Sequence, residues 1–149
     1  VLLHELNALA AAGHAALAEA HFRRLLGVAQ GDAWPASRQR MLWNTMLKAF
    51  ANAGQHVEAA SHYEAMMRNR LAPNAKTFGK LLEAAAKAGD ETAAEHWLRE
   101  MTESRFSARA LNYNELMHAA ANAHHLEAAE LWLHRMLEGQ LQHAGGRGC

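Results

Sequence analysis

RMLWNTMLKAFANAGQHVEAASHYEAMMRNRLAPN, residues Arg40 to Asn74, decides how the rest of the chain is read. Trp43, Met46, Leu47 and Phe50 stand at i, i+3, i+4 and i+7, the apolar stripe of a helix. Gly54 then accepts the left-handed backbone that stops a helix. A second helix is expected from His56 to Arg68, after which Pro73 blocks continuation and Asn74 stands just before a new start. The stretch reads as helix, turn, helix, turn.

Working outward, the same text returns at a step of 35 residues. Gly54 and Gly89 are followed at that step by His124. Ala59, Ala94 and Ala129 keep the step, as do Met66, Met101 and Met136, and Trp43, Phe78 and Tyr113. A weaker copy precedes them, with Gly13 at the Gly54 place but 41 residues away. The six extra residues fall in GVAQGDAWPASRQR, which reads as a loop. Repeats of this length stack as a solenoid, because each unit buries its apolar surface only against its neighbours. Ala-rich positions let helices approach, and the three register-matched methionines fill gaps between units. Trp97 and Trp132 share a register in second helices, which marks them as core.

The composition agrees. Half of the residues are hydrophobic, Ile is absent, and only two prolines interrupt 149 residues. Fifteen basic residues balance fifteen acidic ones, so no overall basic excess draws the chain to nucleic acid. A single cysteine, Cys149, rules out an intramolecular disulfide framework. No apolar run is long enough for a membrane helix. His118, Asn122, His124 and His125 form the densest polar cluster, but no cysteine joins them and no closed zinc-ligand set is spelled out. Carboxylate pairs such as Glu127 with Glu130 sit on solvated helix faces. No phosphate-cradling glycine loop follows a strand. No catalytic residues, metal ligands or cofactors are assigned.

The 35-residue period, the aromatic-Asn opening, the midpoint Ala-Gly, the Glu-Ala-Ala of the second helix and the Met before a closing Pro together resemble the pentatricopeptide repeat (PPR) family. The resemblance implies an all-α, right-handed α-solenoid of stacked helix–turn–helix repeats. Its expected divisions are a divergent helix pair (1–28), a loop (29–39), repeats at 40–74, 75–109 and 110–143, and a flexible tail (144–149). Such proteins are mostly organellar, in mitochondrion or chloroplast, and mostly bind single-stranded RNA with one nucleotide per repeat. The family reads each base with the fifth and last residues of a repeat. Here the pairs are Asn44 with Asn74, Gly79 with Arg109, and Asn114 with Ala144; the first unit has Leu3 at the fifth place. Met41, Lys76 and Leu111 occupy the base-flanking position. Asn52, Lys87 and Asn122 occupy the place of a phosphate-contacting basic residue.

Only the first pair keeps two polar readers, and only Lys87 keeps the charge. Base stacking contributes about 1–3 kcal/mol per base. Association costs roughly 4–15 kcal/mol before that gain counts. Three worn repeats therefore point first to a non-enzymatic interaction module, a structural or assembly subunit of a large organellar complex whose partners are other proteins. The alternative is a single-stranded RNA-binding protein of organellar RNA processing, stability or translation. The residues expected at RNA are Asn44, Asn74, Asn114, Lys87, Arg109, Met41 and Leu111. Those expected at a protein interface are Trp34, Arg38 and Arg40, with Trp34 read as an exposed aromatic in the long loop. No small-molecule substrate and no membrane span are expected.

Overall fold

The computed structural model describes residues 2–145, with side chains through Gln140. Among the described residues there are eight helices and no strand. They are α1 (Leu2–Ala11), α2 (Ala15–Gly31), α3 (Ala36–Asn52), α4 (His56–Arg68), α5 (Ala75–Lys87), α6 (Glu91–Glu103), α7 (Ala110–Asn122) and α8 (Leu126–Gly145). Among the described residues no helix is long and apolar enough to cross a membrane.

The helices form two unequal rows. First helices touch directly, α1 on α3, α3 on α5 and α5 on α7. Second helices pack on first helices, and their backbones do not approach one another. Side-chain size explains the difference. Ala49, Ala51, Ala84, Ala85, Ala119 and Ala120 are buried along the first row, where small side chains let backbones close in. Aromatic side chains span the wider second row: Phe22 meets His62 with ring centroids 5.0–5.1 Å from it and Trp43, and Tyr63 meets Trp97 at 5.0 Å. Small residues on one side and rings on the other make the first-helix row the more closely packed of the two. The result is an all-α solenoid.

The turns explain why the units repeat. At each first-helix end the backbone enters the left-handed region, at Gly13, Gly54 and Gly89 with φ near +70°. The next amide then reaches back five residues, as Gln55 N–H does to the Phe50 carbonyl at 2.9 Å. A Cβ on Gly13 would also stand 3.1 Å from the Asn52 carbonyl oxygen, so α1 and α3 need glycine there for space as well. His124 takes the same turn at φ 60°, against the preference of a residue with a side chain. Second helices end the same way on Ala33, Arg70 and Arg105.

One expected boundary changes. The loop over 29–39 shrinks to residues 32–35, because α2 runs on to Gly31 and α3 already begins at Ala36. Ala29 continues the stripe from Leu25 into the core, so helix is favoured past Gly27. Pro35 carries a φ of −60°, which starts the next helix without loss. The six extra residues therefore lengthen two helices rather than a loop. At the other end, Ala144 and Gly145 of the expected tail belong to α8, while 146–149 lie outside the described residues.

Candidate interaction surface

Each central first helix leaves one narrow strip to solvent. On α3 it is Met41, Asn44, Lys48 and Asn52, since nearly every other position from Leu42 to Ala51 is buried. The 3–4 residue spacing is one helix face. The matching strips are Lys76, Gly79, Lys80, Glu83 and Lys87 on α5, and Leu111, Asn114, Glu115, His118 and Asn122 on α7. Because the first helices touch, the strips lie side by side, and Asn44, Gly79 and Asn114 share one register. Met41 and Leu111 are exposed there.

The side chains expected to read a base are largely engaged by the protein. Asn44 Nδ2 donates to Asn74 Oδ1 at 3.0 Å, and its Oδ1 accepts from the Thr77 hydroxyl at 2.8 Å. Asn74 also caps α5, accepting from Thr77 N–H at 3.1 Å while Thr77 Oγ1 accepts from Asn74 N–H at 3.0 Å. Thr77 is fully buried beneath the pair. It was not singled out from the sequence, although its place three residues after Asn74 is a capping-box signal.

One repeat later the arrangement is inverted. Gly79 offers no side chain, and Asn112, in the Thr77 register, lies with Nδ2 3.9 Å from where a Cβ on Gly79 would stand. Asn112 Oδ1 accepts from Arg109 N–H at 2.9 Å. The longer amide reaches toward the space that the missing side chain leaves, while the Arg109 side chain is exposed. Asn114 is exposed on α7, and the Ala144 side chain lies outside the described ones.

The one surviving phosphate-register cation is also tied. Lys87 Nζ donates to Asn52 Oδ1 at 3.1 Å and pairs with Glu83 at 3.1 Å, while Lys80 holds the other Glu83 oxygen at 2.8 Å. Asn52 in turn donates to the Ala10 carbonyl at 2.8 Å, so one chain of polar contacts crosses three units. Burial alone would raise Glu83. Hydrogen bonds and charge from Lys80 and Lys87 outweigh it and hold Glu83 below the usual carboxylate range. Glu115 is pushed up to about 7, first by burial and then by the charge of Glu83. Near neutrality Glu115 is thus only partly ionised.

The residues expected at a protein interface are placed differently from the reading as an exposed anchor. Trp34 is half-buried against the core, Gln39 donates to its carbonyl at 2.7 Å, and Arg38 covers its ring at 3.8 Å. The shortened turn pulls the indole inward, which corrects its assignment as a free aromatic. Arg38 itself is exposed, and Arg40 reaches the Ala72 carbonyl at 3.4 Å. In the second row, Trp97 and Trp132 are buried as their register required. His62 shares that register and packs among Phe22, Trp43 and Phe50. Burial lowers it to about 4, although Nε2 meets the Trp43 carbonyl at 3.1 Å. His62 is therefore a neutral core residue. His125 pairs across units with Glu91.

Residues 40–87, from the start of the exposed strip on α3 to the end of α5, match the PPR repeat family. No curated protein matches the chain significantly. The match over residues 40–87 and the eight stacked helices together fit a protein of the pentatricopeptide repeat family.

Proposed function

We propose that the chain is a non-enzymatic helical-repeat interaction module, a structural or assembly subunit that docks on other proteins of a large organellar complex. The observation that carries this reading is the internal use of the reading positions. Asn44 and Asn74 bond each other and Thr77, and Lys87 bonds Asn52 and Glu83. An RNA base or phosphate would have to replace those bonds, and a hydrogen bond exchanged for another brings little net gain. The organellar setting rests on what PPR proteins commonly do.

Single-stranded RNA binding is the second reading, and one observation favours it. The strips carry Lys48, Lys76, Lys80 and Lys87 against Glu83 and a partly ionised Glu115, beside exposed Met41 and Leu111. A locally basic, apolar-studded surface suits a strand of bases.

Gradient sedimentation of tagged protein from native lysate, with and without ribonuclease, separates the two. A protein-docked module stays in heavy fractions after ribonuclease. Release to the top, together with a gel shift of random single-stranded RNA lost on Asn44→Ala and Lys87→Ala, would overturn the first reading.

A further inference from the structure

Between the α6–α7 turn and α8 lies a cavity of about 610 Å³. The repeat register explains the room. Ala108 stands where the preceding unit has Pro73, and Gly139 stands where α6 has Ser104, so two wall positions are smaller than their counterparts. The polar part of the wall also differs from the preceding unit. Tyr113 replaces Phe78 and adds a hydroxyl, and Arg109 replaces Asn74. One repeat earlier, Asn74 accepts from Thr77 N–H and from Asn44. A guanidinium only donates, so Arg109 cannot take over those bonds. Asn112 bonds the Arg109 backbone instead, and the Arg109 side chain borders the cavity.

The charge of the lining is one-sided. Arg105 and Arg109 both border the cavity, and no Asp or Glu does. Among the described residues neither guanidinium makes a hydrogen bond or an ion pair, whereas Arg23, Arg40 and Arg135 each meet an acceptor of the protein. Ser107, Tyr113 and Gln140 add neutral donors around them. Two permanent positive charges thus border one concavity of a chain whose charges balance overall.

Charge and shape select the occupant. A phosphomonoester carries a charge of about −1.5 to −2 at neutral pH and three strong acceptor oxygens, which suits two guanidiniums. A carboxylate or a single phosphodiester brings one charge and leaves the other guanidinium unmatched. The cavity is also open to solvent, since Arg105, Ser107, Arg109, Ala110 and Gln140 are all exposed on its walls. A free small ligand needs a pocket that buries most of its surface, whereas a side chain carried by a larger partner needs only its tip enclosed.

We propose that this cavity receives a phosphoserine side chain of a separate protein, with Arg105 and Arg109 on the phosphate and Ser107, Tyr113 and Gln140 around it. This deepens the docking reading above and rests on it.

The test is an NMR titration of the whole chain with a short alanine–glycine peptide carrying one phosphoserine. Saturable shifts of the Ser107, Ala108, Ala110 and Gly139 amides are expected, with a Kd below about 1 mM. Arg105→Gln and Arg109→Gln should each weaken binding by about tenfold or more, as loss of a charge-assisted hydrogen bond requires. Both arginines are exposed, so an otherwise unchanged amide spectrum is expected to confirm folding of the variants. The unphosphorylated peptide and its glutamate version should bind at least about tenfold more weakly than the phosphopeptide. No saturable shift up to about 10 mM overturns the proposal. So does binding that survives in both arginine variants. Equal affinity for the glutamate peptide would make this a carboxylate site, and a random single-stranded RNA that shifts the same amides at lower concentration would make it an RNA site; either result overturns the proposal. If the phosphopeptide fails while heavy sedimentation still resists ribonuclease, the cavity assignment is wrong but the docking function stands.

Discussion

The repeat at 40–74 and the unit at 110–145 have the same register and different surroundings. In the first, α3 is covered by α1 on one side and α5 on the other, and its polar strip is stitched to its neighbours through Asn44, Asn52 and Lys87. In the second, α7 has α5 on one side only, and Asn114 and His118 stand exposed. Identical helical pattern thus gives a locked interior repeat and an open terminal one. A repeat's stability belongs as much to its interfaces as to its own sequence.

The largest expected effect tests that difference in the core. Leu82→Ala should destabilise by about 2–5 kcal/mol, because it empties a fully buried site. Met117→Ala, at the same register of α7 but half-buried, should cost well under half as much. Urea unfolding of both variants reads the contrast, and equal losses would show that the terminal unit is as tightly covered as the interior.

Next comes pH. His62 is held at about 4 against 6.5 for the free side chain, so the folded state binds fewer protons than the unfolded one in between. Its stabilising contribution is complete above pH 6.5 and declines as pH falls to about 4. The whole loss is at most about 3 kcal/mol, from 1.36 kcal/mol per unit. His62→Phe should flatten this part of a stability–pH profile. Glu115, raised to about 7, acts in the opposite sense, with stability falling as pH rises from about 4.5 to 7. Glu115→Gln should remove that decline, and a profile unchanged by either substitution would refute the assignment.

Smaller effects sharpen the polar comparison. Asn74→Ala removes both the α5 cap and the partner of Asn44, and should cost about 1–2 kcal/mol in urea midpoint analysis. Arg109→Ala, the same register one repeat later, keeps the Asn112 bond to its backbone and should stay within about 0.5 kcal/mol. A comparable loss in both would mean the Arg109 side chain does more than its exposure indicates. Smallest of all, His124→Gly should stabilise by about 0.5–1 kcal/mol, since glycine takes the left-handed turn without strain. A raised melting temperature checks it.

Much of the architecture was legible because it is local. The i, i+3, i+4 stripes mark helix faces, and Gly54 and Gly89 mark turns. The exposed strips could be expected from the same spacing. The occupancy of those strips could not. Whether Asn44 faces solvent with free hydrogen-bonding groups depends on Thr77 and Asn74, which reach it only when α5 stacks on α3. Trp34 was misread for a related reason. Its exposure depends on how far α2 and α3 extend, which the burial of Ala29 favours on one side and the φ of Pro35 on the other.

The sequence by itself determined an all-helical, 35-residue repeat, because periodic burial and helix-ending residues act within one unit. Tertiary structure decided which polar side chains are already bonded, that His62 is neutral, and that Leu133 is uncovered while Leu98 is not. Those properties depend on distances between units, and identical repeats differ in them according to what stacks beside each one.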